Sequence, residues 1–158
     1  MAERLFAIGD IHGCFDPFYD LIEQKIRIRK GDRIVLLGDY IDRGNKSREV
    51  IDYILKLMAY GFDIIPLMGN HESMMLDALA SEKSEYNWCM NGGYETVHSF
   101  GIESMDDLDT RYLHFFKSLS HYYIQDKFIF VHAGFNDEIN NPFEDKYQMI
   151  WSRNESYS

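Results

Sequence analysis

The sequence predicts an α/β fold on a parallel sheet, and three observations carry that expectation. Short apolar runs alternate with longer amphipathic stretches through the first two-thirds of the chain. Three of those runs stop at a glycine followed by a polar residue, at Gly9-Asp10, Gly38-Asp39 and Gly69-Asn70. The resulting order, strand-helix-strand-helix-strand, implies right-handed crossovers between parallel strands. A length of 158 residues fits one domain over residues 1–158.

The elements follow in turn. Leu5-Phe6-Ala7-Ile8 reads as the first strand. Asp16-Pro17 reads as an N-cap followed by proline at the first helical position. From there Phe18, Leu21, Ile22, Lys25 and Ile26 keep the i, i+3, i+4 spacing of an amphipathic helix. Ile34-Val35-Leu36-Leu37 is a second strand of buried type. A second helix starts near Ser47, carries Val50, Ile51, Ile54, Leu55 and Met58 on one stripe, and ends at Gly61. Residues 64–68 are the third strand. Residues 73–120 read as mostly helical, broken at Asn91-Gly92-Gly93, and the stripe Tyr112, Phe115, Phe116 and Leu119 belongs to the core. Residues 122–124 and 128–131 read as a β-hairpin joined by Gln125-Asp126-Lys127. Residues 135–158 read as loop, apart from Ile150-Trp151.

Composition narrows the function. Apolar residues are 46% and charged residues 27%, ordinary for a globular chain. Sixteen Lys and Arg against 26 Asp and Glu leave a net charge of −10, which disfavours coating a nucleic-acid backbone. No run of about 18 apolar residues exists to span a membrane, and the run at residues 5–8 ends too soon for a secretory leader. Cys14 and Cys89 make no metal-type pair, so free thiols and a cytoplasmic address are expected.

The chemistry lies where the strands stop. Gly-Asp-Ile-His-Gly (9–13), Gly-Asp-Tyr-Ile-Asp-Arg-Gly (38–44), Gly-Asn-His-Glu (69–72) and His-Ala-Gly (132–134) each place glycine beside an ionisable or polar residue at the end of a strand. In open α/β sheets that carboxyl edge binds ligands. Asp10 and His12 are two apart, so an extended segment presents both to one side. Asp39 and Asn70 add oxygens and His132 a nitrogen, a thiolate-free set suited to manganese, iron or zinc. Asp39 could bridge two ions about 3.5–4 Å apart. Two divalent ions would bring four positive charges against the two negative ones of Asp10 and Asp39. The excess suits an anionic substrate such as a phosphate ester.

In order and spacing these four strings resemble the phosphoprotein phosphatase family of metallophosphoesterases. The resemblance is strongest to small bacterial serine/threonine protein phosphatases and symmetrical diadenosine tetraphosphatases. It implies a calcineurin-like β-sandwich flanked by helices and hydrolysis of a phosphoester by metal-activated water. It further implies that Asp10, His12 and Asp39 hold a first ion, and that Asp39, Asn70 and His132 hold a second. His71 would be the general acid for the leaving alkoxide, with Asp42 holding its ring protonated. Arg43 would bind phosphate oxygens, and Arg153 would add a second phosphate contact. Glu72 reads either as a partner for the helix N-terminal dipole or as support for His71.

Two departures from the family pattern stand out. Met68 occupies a position where many members carry a phosphate-binding arginine. The family also supplies a further histidine to the second ion after its His-Ala-Gly string, and no histidine follows His132 here. Either the polypeptide runs on past Ser158, or the domain lacks its C-terminal part. In the second case one ion is held tightly, and uncovered apolar sheet surface promotes self-association. Three functions follow as expectations: a protein serine/threonine phosphatase, a dinucleoside polyphosphate hydrolase, or a catalytically weak binding module. The partner is then a phosphorylated protein or a small phosphoester.

Overall fold

Three short strands carry the sheet in the computed structural model, which describes residues 4–153. They are β1 (Leu5–Ile8), β2 (Arg33–Leu36) and β3 (Asp63–Pro66), parallel throughout and ordered β1-β2-β3. Ile34, Val35 and Leu36 of the central strand are buried, as a sheet covered on both faces requires. The expected third strand is shorter than residues 64–68. Leu67 instead makes an isolated parallel bridge to Ser120, which ties the sheet to the chain entering the hairpin.

The first crossover is α1 (Phe15–Asp20), which runs on into a wider π-type turn over Leu21–Ile26 and buries Phe18 and Ile22. Asp16 is not its N-cap. The helix begins two residues early with Cys14 in that position, and the Asp16 carboxylate accepts from Lys46 at 2.6 Å. The second crossover is α2 (Ser47–Ala59), with Gly61 just beyond it at φ +72°. Its buried stripe is Val50, Ile51, Tyr53, Ile54 and Leu57. Met58, expected on that stripe, is 39% exposed. The face drifts at 3.6 residues per turn, so Leu57 rather than Met58 lies over Ile54 and Val50.

The helical region resolves into α3 (Asn70–Ala78), α4 (Glu82–Trp88), α5 (Tyr94–Phe100) and α6 (Thr110–Ser118). The expected break is present, as a turn over Cys89–Gly93 with Gly92 at φ +106°. Tyr112, Phe115, Phe116 and Leu119 are core, as the stripe requires. β4 (Tyr122–Gln125) and β5 (Phe128–Val131) form the antiparallel hairpin, turned by Asp126 at φ +54°. Tyr122, Ile124, Phe128 and Ile129 of this hairpin are 38–50% exposed. The segment after residue 135 is not all loop. Its missed helix, α7 (Lys146–Trp151), is capped by the Asp145 carboxylate, which accepts from the Gln148 amide at 3.0 Å. Residues 154–158 of that expected loop lie outside the described residues. Among the described residues no helix is long and apolar enough to cross a membrane.

At the opposite edge of the sheet from the four strings, Arg4 donates to buried Asp32, through Nε at 2.9 Å and through Nη2. The guanidinium holds the Asp32 carboxyl below its ordinary 3.8, against an opposing desolvation. A lowered carboxyl stabilises the fold fully above its unfolded value, and that contribution is lost as pH falls through the folded one. The difference in urea midpoint between wild type and Asp32→Asn is therefore expected to be largest at neutral pH and to shrink below about pH 4. A difference constant across that range would mean that charge has no part in it.

Candidate active site

All four strings meet at the carboxyl edge of the sheet, and backbone hydrogen bonds lace them together. The Asp39 carbonyl accepts from the Ile11 and His12 amides at 2.9 and 2.8 Å, and the Tyr40 carbonyl from Gly13 at 2.8 Å. Gly38 and Gly69 let the second and third loops touch backbone to backbone. Gly38 sits at φ +106°, and a Cβ on it would lie 2.5 Å from the Gly69 nitrogen. The His132 loop is anchored by Nδ1–H to the Leu37 carbonyl at 2.9 Å.

Strain concentrates here. Six non-glycine residues among those described have positive φ, and four of them are His12, Asp39, Asp42 and Arg43. Such backbone costs on the order of 1–3 kcal/mol per residue and persists only where its surroundings enforce it. Glu72 is the main enforcer. Its carboxylate is fully buried and accepts from the amides of Asp39 and Tyr40 at 2.8 Å, Gly69 at 3.1 Å and Ile41 at 3.4 Å. Burial, and then the charge of Asp39, push its carboxyl up to about 8, while the Asp39 and Tyr40 amides oppose that shift. Neither sequence-based reading of Glu72 included this clamp. The role was not visible because the amides it binds belong mostly to another loop.

The metal-type residues converge on Asp39. Its Oδ2 is 3.5 Å from His12 Nε2 and 3.6 Å from His132 Nε2, and Asp10 Oδ2 lies 3.9 Å from His12 Nε2. Two sets of ligand atoms lie within 4.8 Å of one another, His12 with Asp39 and His71, and Asp10 with Asp39 and His132. Asp39 belongs to both, a bridge position. The donor chemistry fits cations. His12 and His132 donate Nδ1–H to the Ile41 and Leu37 carbonyls, which frees each Nε2 lone pair. His132 Nε2 then faces the Asn70 Oδ1 acceptor at 3.0 Å, a contact between lone pairs that a cation resolves.

His71 and Arg43 complete the cluster. His71 Nδ1 is 2.7 Å from the Asp42 carboxylate, and both side chains are buried. Arg43 is exposed and reaches His12 Nε2 with Nη1 at 2.9 Å and His71 Nε2 with Nη2 at 3.0 Å. A guanidinium only donates, so both Nε2 atoms accept and His71 holds its proton on Nδ1, toward Asp42. Arg43 must therefore leave Nε2 before that atom can carry a proton. Arg153 follows α7 and is exposed, and no hydrogen bond or ion pair joins it to the other candidates. The loop holding His132 is nevertheless pinned to α7 through Ala133, whose amide donates to the Met149 carbonyl at 2.8 Å. Met68 is buried, so its side chain does not reach the open edge.

A family profile described as "Calcineurin-like phosphoesterase" matches residues 3–157. Serine/threonine-protein phosphatase 2 of Salmonella typhimurium is 29% identical over 95% of this chain and 68% of its own length. A symmetrical bis(5'-nucleosyl)-tetraphosphatase of Nitrosococcus oceani is 38% identical over 48% of this chain and 26% of its own. In fold, a protein serine/threonine phosphatase from Saccharomyces cerevisiae superposes with a TM-score of 0.65 at 18% identity, over 94% of this chain and 51% of that one. The chain thus spans between a quarter and two-thirds of the length of these relatives.

Proposed function

The chain belongs to the calcineurin-like phosphoesterase family, and from that premise we propose that it hydrolyses phosphoserine or phosphothreonine in proteins. The carrying observation is the convergence of Asp10, His12, Asp39, Asn70 and His132 beside a buried His71–Asp42 pair and an exposed guanidinium. A protein substrate is supported by the likeness to Serine/threonine-protein phosphatase 2, which spans nearly the whole chain. The likeness to a bis(5'-nucleosyl)-tetraphosphatase favours a second reading, a dinucleoside polyphosphate substrate.

Asp10, His12 and Asp39 would hold one divalent ion, and Asp39, Asn70 and His132 another, with manganese preferred over iron or zinc. When bound, such ions polarise a phosphoryl group and make water a stronger nucleophile. Arg43, turned away from the two imidazoles, offers paired N–H groups to phosphate oxygens. Arg153 would add a second guanidinium from the end of α7. Asp42 keeps the His71 ring oriented through Nδ1, and Nε2, once Arg43 has left it, would take up a second proton from solvent and pass it to the departing alkoxide. The deciding comparison is phosphate release from a phosphoserine peptide against cleavage of diadenosine tetraphosphate. Faster turnover of the peptide is expected, and preference for the dinucleotide would install the second reading.

The role of His71 has its own test, because His71 also lies within ligand distance of His12 and Asp39. His71→Asn is expected to slow hydrolysis of an alkyl phosphate by about 10²–10⁴-fold, the usual worth of a general acid. Nitrophenyl phosphate, whose leaving group needs little protonation, should lose much less. Equal losses accompanied by loss of metal would make His71 a ligand.

A further inference from the structure

We propose that Trp88 and Thr96 are positioning residues for His71, acting through Asp42. The proposal rests on reading His71 as the leaving-group acid and extends the site to two helices whose residues belong to none of the strand-end strings.

Asp42 is buried completely and sits at φ +73°. Both of its carboxylate oxygens are used. Oδ2 accepts from His71 Nδ1 at 2.7 Å and from the Trp88 indole Nε1 at 2.8 Å. Oδ1 accepts from the Thr96 hydroxyl at 2.6 Å. The Asp42 amide in turn donates to Thr96 Oγ1 at 2.8 Å and to Ser47 Oγ at 3.2 Å, and those hydroxyls lie 3.1 Å apart. Trp88, Thr96 and Ser47 are all buried.

This pattern does more than satisfy a buried carboxylate. Trp88 donates to the same oxygen as His71, so any rotation that releases the imidazole also breaks the indole bond. A second donor on Oδ2 also spreads its charge and weakens its pull on the imidazole proton, which keeps that proton on Nδ1. Thr96 locks the other oxygen and the backbone of the same residue at once. Trp88 closes α4 and Thr96 lies in the first turn of α5, and the turn between the helices accepts the Arg43 amide on the Gly92 carbonyl at 3.1 Å. One helical hairpin therefore sets the ring of His71 and the backbone of Arg43 together.

The experiment uses Trp88→Phe, which keeps an aromatic ring and removes the N–H, and Thr96→Val with Thr96→Ser as its conservative control. In metal-free wild type, the Trp88 indole proton and the His71 Nδ1 proton are expected as exchange-protected, downfield NMR resonances. Trp88→Phe and His71→Asn assign them. Trp88→Phe and Thr96→Val should expose the His71 proton to exchange, and Thr96→Ser should retain it. On alkyl phosphate, Trp88→Phe and Thr96→Val should lower kcat about 10–100-fold with KM unchanged, the usual scale for partners that orient a catalytic group. Nitrophenyl phosphate should be nearly unaffected, and Thr96→Ser should behave as wild type. An unprotected His71 proton in wild type, or a variant that leaves it protected, overturns the proposal, as do equal losses on both phosphates. Wild type that hydrolyses neither phosphate with manganese, iron or zinc overturns the phosphatase reading instead, and the NMR arm still decides the positioning.

Discussion

Asp39→Asn is expected to bring hydrolysis of both alkyl and aryl phosphates to the uncatalysed background, and to remove bound divalent ions as read by elemental analysis. The reason is position. Asp39 is the single carboxylate shared by both candidate ligand sets, with Oδ2 nearly equidistant from His12 and His132. An amide keeps one oxygen but loses the negative charge and places an NH₂ where a lone pair is needed. The leaving group should not matter, unlike at His71, because the loss precedes any proton transfer. The fold should survive, since the amide oxygen can still accept from the His71 amide, now 3.1 Å from Oδ1. Full turnover with full metal content would end the reading of Asp39 as a bridge.

Glu72→Gln should have the largest effect on stability, about 3–5 kcal/mol, read as a lowered urea midpoint at about pH 9, above the raised value of the carboxyl. Four amides from two loops converge on its two oxygens. Glutamine offers one oxygen and turns an NH₂ against the remaining donors, and each unsatisfied buried donor costs about 1–3 kcal/mol. That loss is a large share of the 5–15 kcal/mol typical of a domain. It should fall with metal affinity, because Asp39 relaxes from its strained φ once the clamp is gone. A shift below about 1 kcal/mol would mean that water replaces the carboxylate.

Much of this architecture was legible in the chain, for physical reasons. Ile34-Val35-Leu36 read as a strand buried on both faces, and glycines at residues 9, 38 and 69 marked where the strands stop and the backbone turns. The helix ends were less legible. Cys14 replaces Asp16 as the first cap position because tertiary contacts, including the one to Lys46, outweigh local capping preference. Met58 was misplaced by a single residue of helical drift, and α7 was missed because its capping Asp145 sits within a polar run. The supports of the site were the least visible. Trp88 and Thr96 contact Asp42 across 46 and 54 residues, and no short-range pattern encodes such a contact.

Those long separations also order the assembly of the molecule in time. β1, β2 and β3 pair through crossovers contained within the first 66 residues, so the sheet can close before the rest of the chain is engaged. The strained turn after β2 gains its remaining partners later, from Glu72, Trp88 and Thr96, and His132 docks on Leu37 across 95 residues. Loops of that span close slowly, because their entropy must be lost before the contacts reward it. A chain emerging at about 5–20 residues per second would therefore hold a formed sheet for seconds before His132 could complete the ligand set of the second ion. Capture of that second ion becomes the closing event of folding, and a refolding experiment should find the parallel sheet formed before metal gives its full protection from protease.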